Sequence, residues 1–493
     1  MSSDTKNTQG KRQPEQIADN ADYHLLAPDL LFEVADHGNK GRTVRSDAAS
    51  LPIDAFAAAC EAAGARMMRE FKLDLEGAVG GAATKRSDGE LELNAAKPIQ
   101  LLTPKKDELQ SAVLHQDEYG ELRWILPTTK HANGQKVFNL PPMQAGPAHR
   151  GPVTQKIRRI VKVIAWLAKD VVGQVALNLV TNWEKKHRPY KLLGYNNRQF
   201  TATPNWDRLR EGKSLLFIHG TFSTAEAAYE GLLKDEANIK ALEQAYEGRI
   251  FAFNHPSLHA NPAGNIQELM TMLPPDMRGK DVDIVTHSRG GLVGRELMAH
   301  TQAGTSPGLK VNKAILVAGP HQGTILTKPE HWISLMDTYT NLLLKLPDGP
   351  ITIILESIIS LIKIIGGNTV SALPGLQSML PKGNYLNDLG SRSLGNAQLY
   401  TMGARYLPMG DNLVGIVKSL ALKVVLKKLF GEDSDMVVPT GGSLNFGPEE
   451  APLIPRDRQM LYDSDSAVNH LNFFTDDRVN GQLVSWLTEQ QAV

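Results

Sequence analysis

The chain has 493 residues, which is enough for two or three domains at the usual ~100–200 residues each. Apolar residues make up 42% and charged residues 22%, as in an ordinary globular protein and unlike a disordered one. Lysine plus arginine equals aspartate plus glutamate at 53 each, so the basic excess of a nucleic-acid-binding protein is missing and no nucleic-acid partner is expected.

Residues 1–20 are polar, and we expect them to form a disordered tail. They contain no apolar core of a secretory signal, so a cytoplasmic location is expected. Export by a route that reads no N-terminal signal stays open. The single cysteine, Cys60, excludes an intrachain disulfide and fits a reducing compartment.

Residues 21–145 are predicted to form a small α+β domain of unknown role and unknown partner. Residues 30–34 and 124–127 read as short strands, and residues 54–71 read as one helix with apolar residues at helical spacing. The glycine-rich residues 79–85 lack the ending of a phosphate-binding loop, so they predict a turn.

Residues 146–211 are predicted to be a linker with an amphipathic helix, following the proline- and glycine-bearing residues 141–152. Residues 155–183 are mostly apolar, but charged residues interrupt them, so they do not predict a spanning helix. One or two amphipathic helices packed on the next domain are expected. The rival is a helix on the membrane surface, because basic residues flank the run: Arg158, Arg159, Lys185 and Lys186.

From residue 212 to residue 493 the pattern changes to apolar strands that end in small and polar residues. Residues 215–222 (LLFIHGTF) read as a buried strand followed by His219, Gly220 and Thr221. Residues 249–256 (RIFAFNHP) read as a further strand that leaves on a loop.

Residues 282–293 (VDIVTHSRGGLV) predict a strand, a very tight turn and a helix, with Ser288 at the apex. This is the order in which a nucleophile elbow presents its serine. Gly290 stands two residues after the serine, as the elbow requires, but Thr286 stands two residues before it, where glycine is usual.

Residues 313–324 (KAILVAGPHQGT) read as another strand, after which His321 is expected to be scaffolding. An insertion of about residues 325–396 follows. Within it, residues 351–365 predict an apolar helix, which fits either a lid or acyl-chain groove or a helix buried against the core. Residues 413–430 predict an amphipathic helix whose lysines form a solvated face or approach anionic lipid.

A serine nucleophile needs a base and an acid that orients the base. His470 is the only histidine near the C-terminus among those that follow Ser288, and a helical pattern comes after it. Residues 398–403 read as the strand that precedes the acid. Asp435, before an apolar pair and a proline, is the best candidate for that acid, with three rivals: Asp411, Glu432 and Asp433.

Taken together, residues 212–493 resemble an α/β-hydrolase of the lipase/esterase type, and the segment around His321 also resembles GPI inositol-deacylase-like proteins. The resemblance implies an α/β fold with a mostly parallel sheet, helices on both faces and a helical lid-like insertion. It implies that Ser288 is the nucleophile, that His470 is the base and that Asp435 orients the base. No metal or cofactor is implied.

The resemblance also implies an oxyanion hole made by the backbone N–H groups of Thr221 and Arg289. His219, Gly220, Gly290 and His321 would support the site. We expect His219 to be a structural hydrogen-bonding group rather than a base. If the chemistry is right, the imidazole of His470 must lie within ~10 Å of the Ser288 hydroxyl.

These residues predict a serine carboxylic-ester hydrolase that works through an acyl-enzyme on a lipid-like or other ester with an apolar acyl chain. An amidase or thioesterase with the same residues is the nearest alternative. A second alternative is a catalytically silent binding or scaffold protein. A third is a toxin-like lipase delivered to another cell. Peripheral contact with a membrane is also left open.

Overall fold

The computed structural model of the protein divides into two compact units, residues 1–169 and residues 170–493. The described residues of the first unit are 23–27, 30–35, 40–42, 51–76, 84–85, 91–92, 99–103, 109–117, 120–130, 136–141 and 156–167. In the second unit they are 174–488 without 303–307, 345, 347–350, 367–372, 408–426, 428 and 447–453. The predicted tail at residues 1–20 and most of the glycine-rich residues 79–85 therefore lie outside the described residues.

The first unit consists mainly of antiparallel strands. They are β1 (Tyr23–Ala27), β2 (Leu30–Ala35), β3 (Lys40–Arg42), β4 (Arg66–Glu76), β5 (Thr84–Lys85), β6 (Leu91–Glu92), β7 (Ile99–Thr103), β8 (Leu109–Gln116), β9 (Leu122–Ile125), β10 (Thr129–Lys130), β11 (Lys136–Leu140) and β12 (Lys156–Leu167). Two five-stranded sheets have the orders β1-β2-β7-β11-β10 and β3-β4-β12-β8-β9, and β5 pairs with β6. The helix α1 (Ile53–Ala62) precedes β4. The predicted strands at residues 30–34 and 124–127 correspond to β2 and β9.

The prediction of one helix over residues 54–71 is wrong in its second half. The helix α1 ends at Ala62, and Gly64 adopts a φ of 65°, the left-handed conformation that commonly terminates a helix. After it, Phe71, Leu73 and Leu75 alternate with charged residues, which is the period of a strand. The strand β4 covers this part of the sequence.

The helix predicted early in residues 155–183 is also wrong, because residues 156–167 form β12. This strand lies between β4 and β8 and pairs antiparallel with both. Residues 160–166 are all buried, which explains why the run is apolar without the alternation of a half-exposed strand. Lys162 is buried with them and pairs with Glu70. The later part of the run agrees with the prediction, because residues 174–187 form a helix.

The second unit is built on one eight-stranded sheet. Its strands are β13 (Lys191–Asn196), β14 (Gln199–Thr201), β15 (Ser214–Ile218), β16 (Ile250–Asn254), β17 (Asp281–His287), β18 (Lys310–Val317), β19 (Gln398–Ala404) and β20 (Gln459–Tyr462). Their order is β14-β13-β16-β15-β17-β18-β19-β20. From β16 to β20 every neighbouring pair is parallel, and the antiparallel hairpin β13–β14 forms one edge. The sheet thus includes two strands that precede residue 212, where we expected this unit to begin.

The helices of the second unit connect these strands. They are α2 (Gln174–His187), α3 (Trp206–Arg210), α4 (Ala225–Ala228), α5 (Glu230–Lys234), α6 (Glu236–Ala245), α7 (Pro262–Met272), α8 (Gly290–Gln302), α9 (Trp332–Leu343), α10 (Ile351–Gly366), α11 (Pro374–Gln377), α12 (Asn384–Ser391), α13 (Thr440–Leu444) and α14 (Asp477–Thr488). The apolar run in the insertion forms α10, as predicted. Most of the helix predicted at residues 413–430 lies outside the described residues.

Helices cover both faces of this sheet because successive side chains of a strand point to opposite faces. In β15, Leu215 and Phe217 join a core with residues of α5, α6 and α14. Leu216 and Ile218 join a second core with residues of α7 and α8. A strand buried on both faces reads as a continuous apolar run, as residues 215–218 do. This is the α/β-hydrolase fold that the sequence predicts.

The strand order fixes where a site can form. β15 lies between β16 and β17, so the chain reverses its direction of progress across the sheet at this point. In open α/β sheets, ligands bind at such a switch point beyond the carboxyl ends of the strands. Ile218 pairs with Thr286, so the loops that follow β15 and β17 meet at one edge.

Candidate active site

Ser288 lies in a strained turn between β17 and α8. Its φ is 54°, in the left-handed region that a residue with a side chain rarely adopts. Gly290 allows the turn to pack tightly, because a β-carbon there would lie 2.4 Å from the carbonyl oxygen of Ile218 and 2.6 Å from that of His219. The turn holds the serine side chain at the carboxyl edge of the sheet, as the sequence predicts for a nucleophile elbow.

The departure at Thr286 is accommodated by a glycine on the opposing helix. A β-carbon added to Gly294 would lie 3.0 Å from the Thr286 Cγ2 and 2.9 Å from the Ile284 Cδ1. Thr286 itself is fully buried. Gly294 on α8 thus leaves room for the Thr286 side chain, where a glycine on the strand would leave it instead. The helix therefore still packs close to β17.

The structure brings together the three side chains predicted to carry the chemistry. The Nε2 of His470 lies 2.9 Å from the Oγ of Ser288, and its Nδ1 lies 2.8 Å from the Oδ2 of Asp435. Because an ionised carboxylate can only accept, Nδ1 carries the proton and Nε2 accepts from the serine hydroxyl. The side chains of Ser288, Asp435 and His470 are 3%, 1% and 0% exposed, so the chain of hydrogen bonds is shielded from water.

Asp435 is fixed by its own loop. Its Oδ1 accepts the backbone N–H groups of Val437 at 2.9 Å and Val438 at 2.7 Å, and its carbonyl oxygen accepts the N–H of His470 at 3.1 Å. The rivals Glu432 and Asp433 point elsewhere. Glu432 accepts from the N–H of Gly441, and Asp433 pairs with Arg405 and Lys427. The third rival, Asp411, lies outside the described residues.

The loop after β15 passes directly beside the serine. A β-carbon on Gly220 would lie 2.6 Å from the Cβ of Ser288, so only glycine fits there. Within the described residues, no backbone or side-chain acceptor takes the N–H of Thr221 or of Arg289. Two backbone donors adjacent to the serine are therefore left for a ligand.

The two histidines predicted to support the site are buried and structural. The Nδ1–H of His219 donates to the Gly220 carbonyl at 2.8 Å, and its Nε2 accepts the N–H of His255 at 3.1 Å. Burial lowers the pKa of His219 to about 3, so the ring stays neutral. The ring of His321 packs against Gly291, Gly319 and Phe446, with no described hydrogen bond to its nitrogens.

Two further residues contact the site, and neither is predicted from the sequence. The Nε2–H of His287 donates to the carbonyl of His470 at 2.9 Å, and its ring lies 5.2 Å from that imidazole. Tyr339, on α9, sets its ring edge-on to His470 at 5.9 Å and lines the same cavity as Ser288. His287 directly precedes the serine, so its position in the sequence could have indicated that it lies near the site. Tyr339 lies in the insertion, where nothing in the sequence marks it.

A small, mostly apolar cavity opens beside Ser288. The loop after β15 contributes Thr221 and Phe222 to its wall, and α9 contributes Leu335 and Tyr339. The remaining lining comes from Thr324, Thr327, Leu376, Met379, Val437 and Val438. The insertion therefore forms one side of the site.

A family described as "Domain of unknown function (DUF7379)" matches residues 186–488, more than half of the chain. The protein belongs to this family. The matched segment contains Ser288, Asp435 and His470. No curated protein matches the chain.

Solved structures of several hydrolases are similar in fold. Lipase 1 from Pelosinus fermentans is 11% identical over 57% of this chain and 99% of its own, at a TM-score of 0.36. Carboxylesterase CesB (YbfK) from Bacillus subtilis is 11% identical over 64% and 97%, at 0.32. Phospholipase PlaB from Legionella pneumophila is 12% identical over 47% and 45%, at 0.30, so the chain spans less than half of it. Similarity at this level carries no information about substrate.

Proposed function

We propose that the second unit is a serine hydrolase that cleaves carboxylic esters. The observation that carries the proposal is the buried chain of hydrogen bonds from Ser288 through His470 to Asp435, beside two backbone N–H groups with no described acceptor. A serine hydroxyl becomes a nucleophile when a base accepts its proton and an acid fixes the base.

In this mechanism the Oγ of Ser288 bonds to the acyl carbon, and its proton passes to the Nε2 of His470. Asp435 stabilises the imidazolium through Nδ1 and keeps the ring oriented. The N–H groups of Thr221 and Arg289 bind the oxyanion of the tetrahedral intermediate. His470 returns the proton to the leaving alcohol, whose C–O bond breaks and leaves an acyl-enzyme. Water then attacks the acyl carbon while His470 takes its proton. The bond to the Oγ of Ser288 breaks, the carboxylic acid is released, and His470 returns the proton to Ser288.

The lining of the cavity favours an ester with an apolar acyl group. Phe222, Leu335, Leu376, Met379 and Val438 present carbon surface next to the nucleophile. Each methylene that such a wall buries contributes ~0.8 kcal/mol, about fourfold in affinity. The substrate class that fits is therefore an uncharged acyl chain rather than a polar or charged acid.

The test is hydrolysis of a series of p-nitrophenyl acyl esters together with labelling by a fluorophosphonate probe. The wild type should hydrolyse the esters and take up one probe per chain. Ser288→Ala should lose both, with a fall in kcat of ~10⁴-fold or more. Full labelling of Ser288→Ala would refute the nucleophile. A folded wild type that neither labels nor hydrolyses would favour the silent scaffold instead.

A further inference from the structure

Glu184, on α2, is a buried carboxylate outside the serine, histidine and aspartate chain. It is 1% exposed and faces the loop that follows β16. Its Oε1 accepts the backbone N–H of Ser257 at 2.7 Å and of Leu258 at 3.0 Å. Its Oε2 accepts the N–H of His259 at 2.8 Å and the Nδ1–H of the same residue at 2.7 Å. One side chain thus fixes three consecutive peptide groups.

A carboxylate placed so deeply must be compensated, because removing it from water costs several kcal/mol. Burial alone would raise the pKa of Glu184, but the hydrogen bonds from His259 and Ser257 outweigh burial and hold the pKa below its ordinary value. The group is therefore ionised at neutral pH. Because the N–H groups of the loop stabilise this buried charge, any movement of the loop away from the carboxylate is energetically unfavourable.

This loop is joined to the two N–H donors beside the serine. The Oγ of Ser257 accepts the N–H of Phe222 at 3.2 Å. Phe222 directly follows Thr221 and adopts a φ of 61°, a conformation that persists in a residue with a side chain only when its surroundings hold it. Ser257 therefore links the two segments: its N–H is bound by Glu184, and its hydroxyl binds the residue next to Thr221.

The next residue of the loop, Ala260, is held by the residue that follows the nucleophile. The guanidinium of Arg289 is fully buried and donates to the carbonyl of Ala260 and to the Oδ1 of Asn265 at 2.9 Å. Among the described residues, no carboxylate forms an ion pair with Arg289. Burial lowers the pKa of the Arg289 guanidinium to about 10, and the Tyr385 hydroxyl and then the Glu184 carboxylate act in the opposite direction. The Glu184 carboxylate and the Arg289 guanidinium thus bind successive residues of one loop, 257–259 and 260.

We infer that Glu184 is a positioning residue that, with the Arg289 side chain, fixes residues 257–260 and so sets the N–H groups of Thr221 and Arg289 beside Ser288. The inference rests on the proposed function in one respect: those N–H groups matter to catalysis only if they bind an oxyanion. Their position itself can be measured without any turnover.

The experiment compares three variants of the full chain. Glu184→Gln keeps the shape but replaces an acceptor oxygen by an N–H₂ group, which cannot accept from the loop. Ser257→Ala removes the acceptor of the Phe222 N–H, together with a long hydrogen bond of 3.5 Å from the Ser257 hydroxyl to Glu184. Asp283→Asn is the matched control. Asp283 is likewise fully buried and accepts a backbone N–H, from Lys313 at 2.9 Å, and the Tyr246 hydroxyl at 2.6 Å, away from this loop.

With p-nitrophenyl esters, Glu184→Gln should lower kcat by ~10–100-fold with KM nearly unchanged, because the affected donors act in the transition state. Ser257→Ala should lower kcat less. Asp283→Asn should lose stability and keep kcat within about twofold of the wild type. A Glu184→Gln kcat equal to that of wild type, or a loss equal to that of Asp283→Asn, would overturn the inference.

Hydrogen–deuterium exchange gives the readout that is independent of activity. Peptides that cover residues 219–223 and 257–259 should exchange faster in Glu184→Gln than in wild type, and not in Asp283→Asn. Unchanged exchange at residues 219–223 would overturn the inference even in an active enzyme. If the wild type hydrolyses no ester, the proposed function fails, and the exchange result alone decides the position claim. Should Glu184→Gln not fold, Ser257→Ala decides by the same two measurements.

Discussion

Gly220 has no side chain at the point where the loop after β15 passes the serine. A β-carbon there would lie 2.6 Å from the Cβ of Ser288, 2.9 Å from the carbonyl oxygen of His287 and 3.2 Å from the Ser288 Oγ. Two of these atoms are backbone or begin a side chain, so they cannot swing away. We predict that Gly220→Ala lowers kcat/KM by ~100-fold or more, since a displacement of ~1 Å at a reacting group has that effect.

The measurement is ester hydrolysis by Gly220→Ala beside Gly390→Ala. A β-carbon on Gly390, within α12, would meet nothing within 4 Å, so this control should keep full activity. It should also be slightly more stable, because alanine is the better helix former by ~1 kcal/mol. Equal activity of the two variants would show that the loop does not touch Ser288 as described.

Asp435 allows its role to be separated from its place in the fold. In Asp435→Asn the Oδ1 can still accept the N–H groups of Val437 and Val438, so the loop should keep its shape. The amide that replaces Oδ2 cannot accept from the Nδ1–H of His470, and the imidazole is driven to the wrong tautomer. We predict a fall in kcat of ~10⁴-fold with little change in the free energy of unfolding.

Asp433→Asn is the matched control for this prediction. Asp433 lies two residues away and pairs with Arg405 and Lys427 at a partly exposed site. Surface pairs of this kind contribute ~0–1 kcal/mol, so activity should be retained. Urea denaturation and steady-state kinetics on both variants check the outcome. A larger loss of kcat in Asp433→Asn than in Asp435→Asn would transfer the role to the rival.

At the scale of elements, we predict that α9 decides which acyl groups fit. It places Leu335 and Tyr339 in the wall of the cavity beside Ser288. Leu335→Ala would remove three carbons of wall, and each methylene of substrate that takes their place gains ~0.8 kcal/mol. We predict that this variant shifts the preference toward acyl chains longer by two or three carbons, with a change of roughly 15- to 60-fold in the ratio of kcat/KM values.

The control is Ser334→Ala, on the neighbouring exposed position of the same helix, which should leave the chain-length preference of the wild type unchanged. Leu335→Ala should also lower the free energy of unfolding by ~2–5 kcal/mol, since it leaves a cavity. Measurement of kcat/KM across the ester series separates the two effects. A uniform loss for all chain lengths would show that α9 stabilises the fold without selecting the acyl group.

The elements that the sequence predicts best are those whose pattern is local. The apolar run of β15 and the strand, turn and helix around Ser288 both read directly, since burial on two faces leaves a continuous apolar stretch. In β12 the same physics misleads. The apolar residues 160–167, interrupted only by Lys162, cannot be told from a buried helix by periodicity, and the partner strands β4 and β8 are separate stretches of the sequence.

The contacts between distant elements are what the sequence does not specify. The order of serine, acid and histidine predicts which three residues must meet, and their hydrogen bonds agree with that expectation. The compensation of Thr286 by Gly294, the ring of Tyr339 over His470 and the carboxylate of Glu184 depend on which helix packs on which loop. No single stretch of sequence carries that information. The catalytic roles of the three residues stay predictions until they are measured.

At the scale of the whole molecule, the described helices can be compared with the thickness of a bilayer. Within the parts that the structure describes, no helix has both the length and the apolar character needed to cross a bilayer. The most apolar helix, α10, has 16 residues and is tied at its side to Arg188, which bonds Glu356 at 3.3 Å and the carbonyl of Ile353. This buried ion pair joins α10 to the residue that follows α2, within the second unit.

Four buried histidines make the stability of the second unit sensitive to acid. Burial lowers the pKa of His219 and of His287 to about 3, and it holds the pKa values of His255 and His321 well below their ordinary range. In the unfolded chain each would titrate near 6.5. Between pH 6.5 and about 3, unfolding therefore takes up protons, so stability is full above pH 6.5 and falls as the pH is lowered.

We predict that the free energy of unfolding falls by up to ~1.4 kcal/mol per pH unit for each such histidine below pH 6, whereas it changes little between pH 7 and 8. Urea denaturation at pH 7.5, 6.0 and 5.0 measures the slope. His321→Leu tests the assignment, because the nitrogens of His321 make no described hydrogen bond and the change in its ring packing does not depend on pH. Between pH 6.0 and 5.0, the slope of the free energy of unfolding against pH should then decrease by ~1.4 kcal/mol per pH unit, the contribution of one proton. The same slope in both proteins would mean that His321 is protonated in the folded state, and that the cause of the acid sensitivity lies elsewhere.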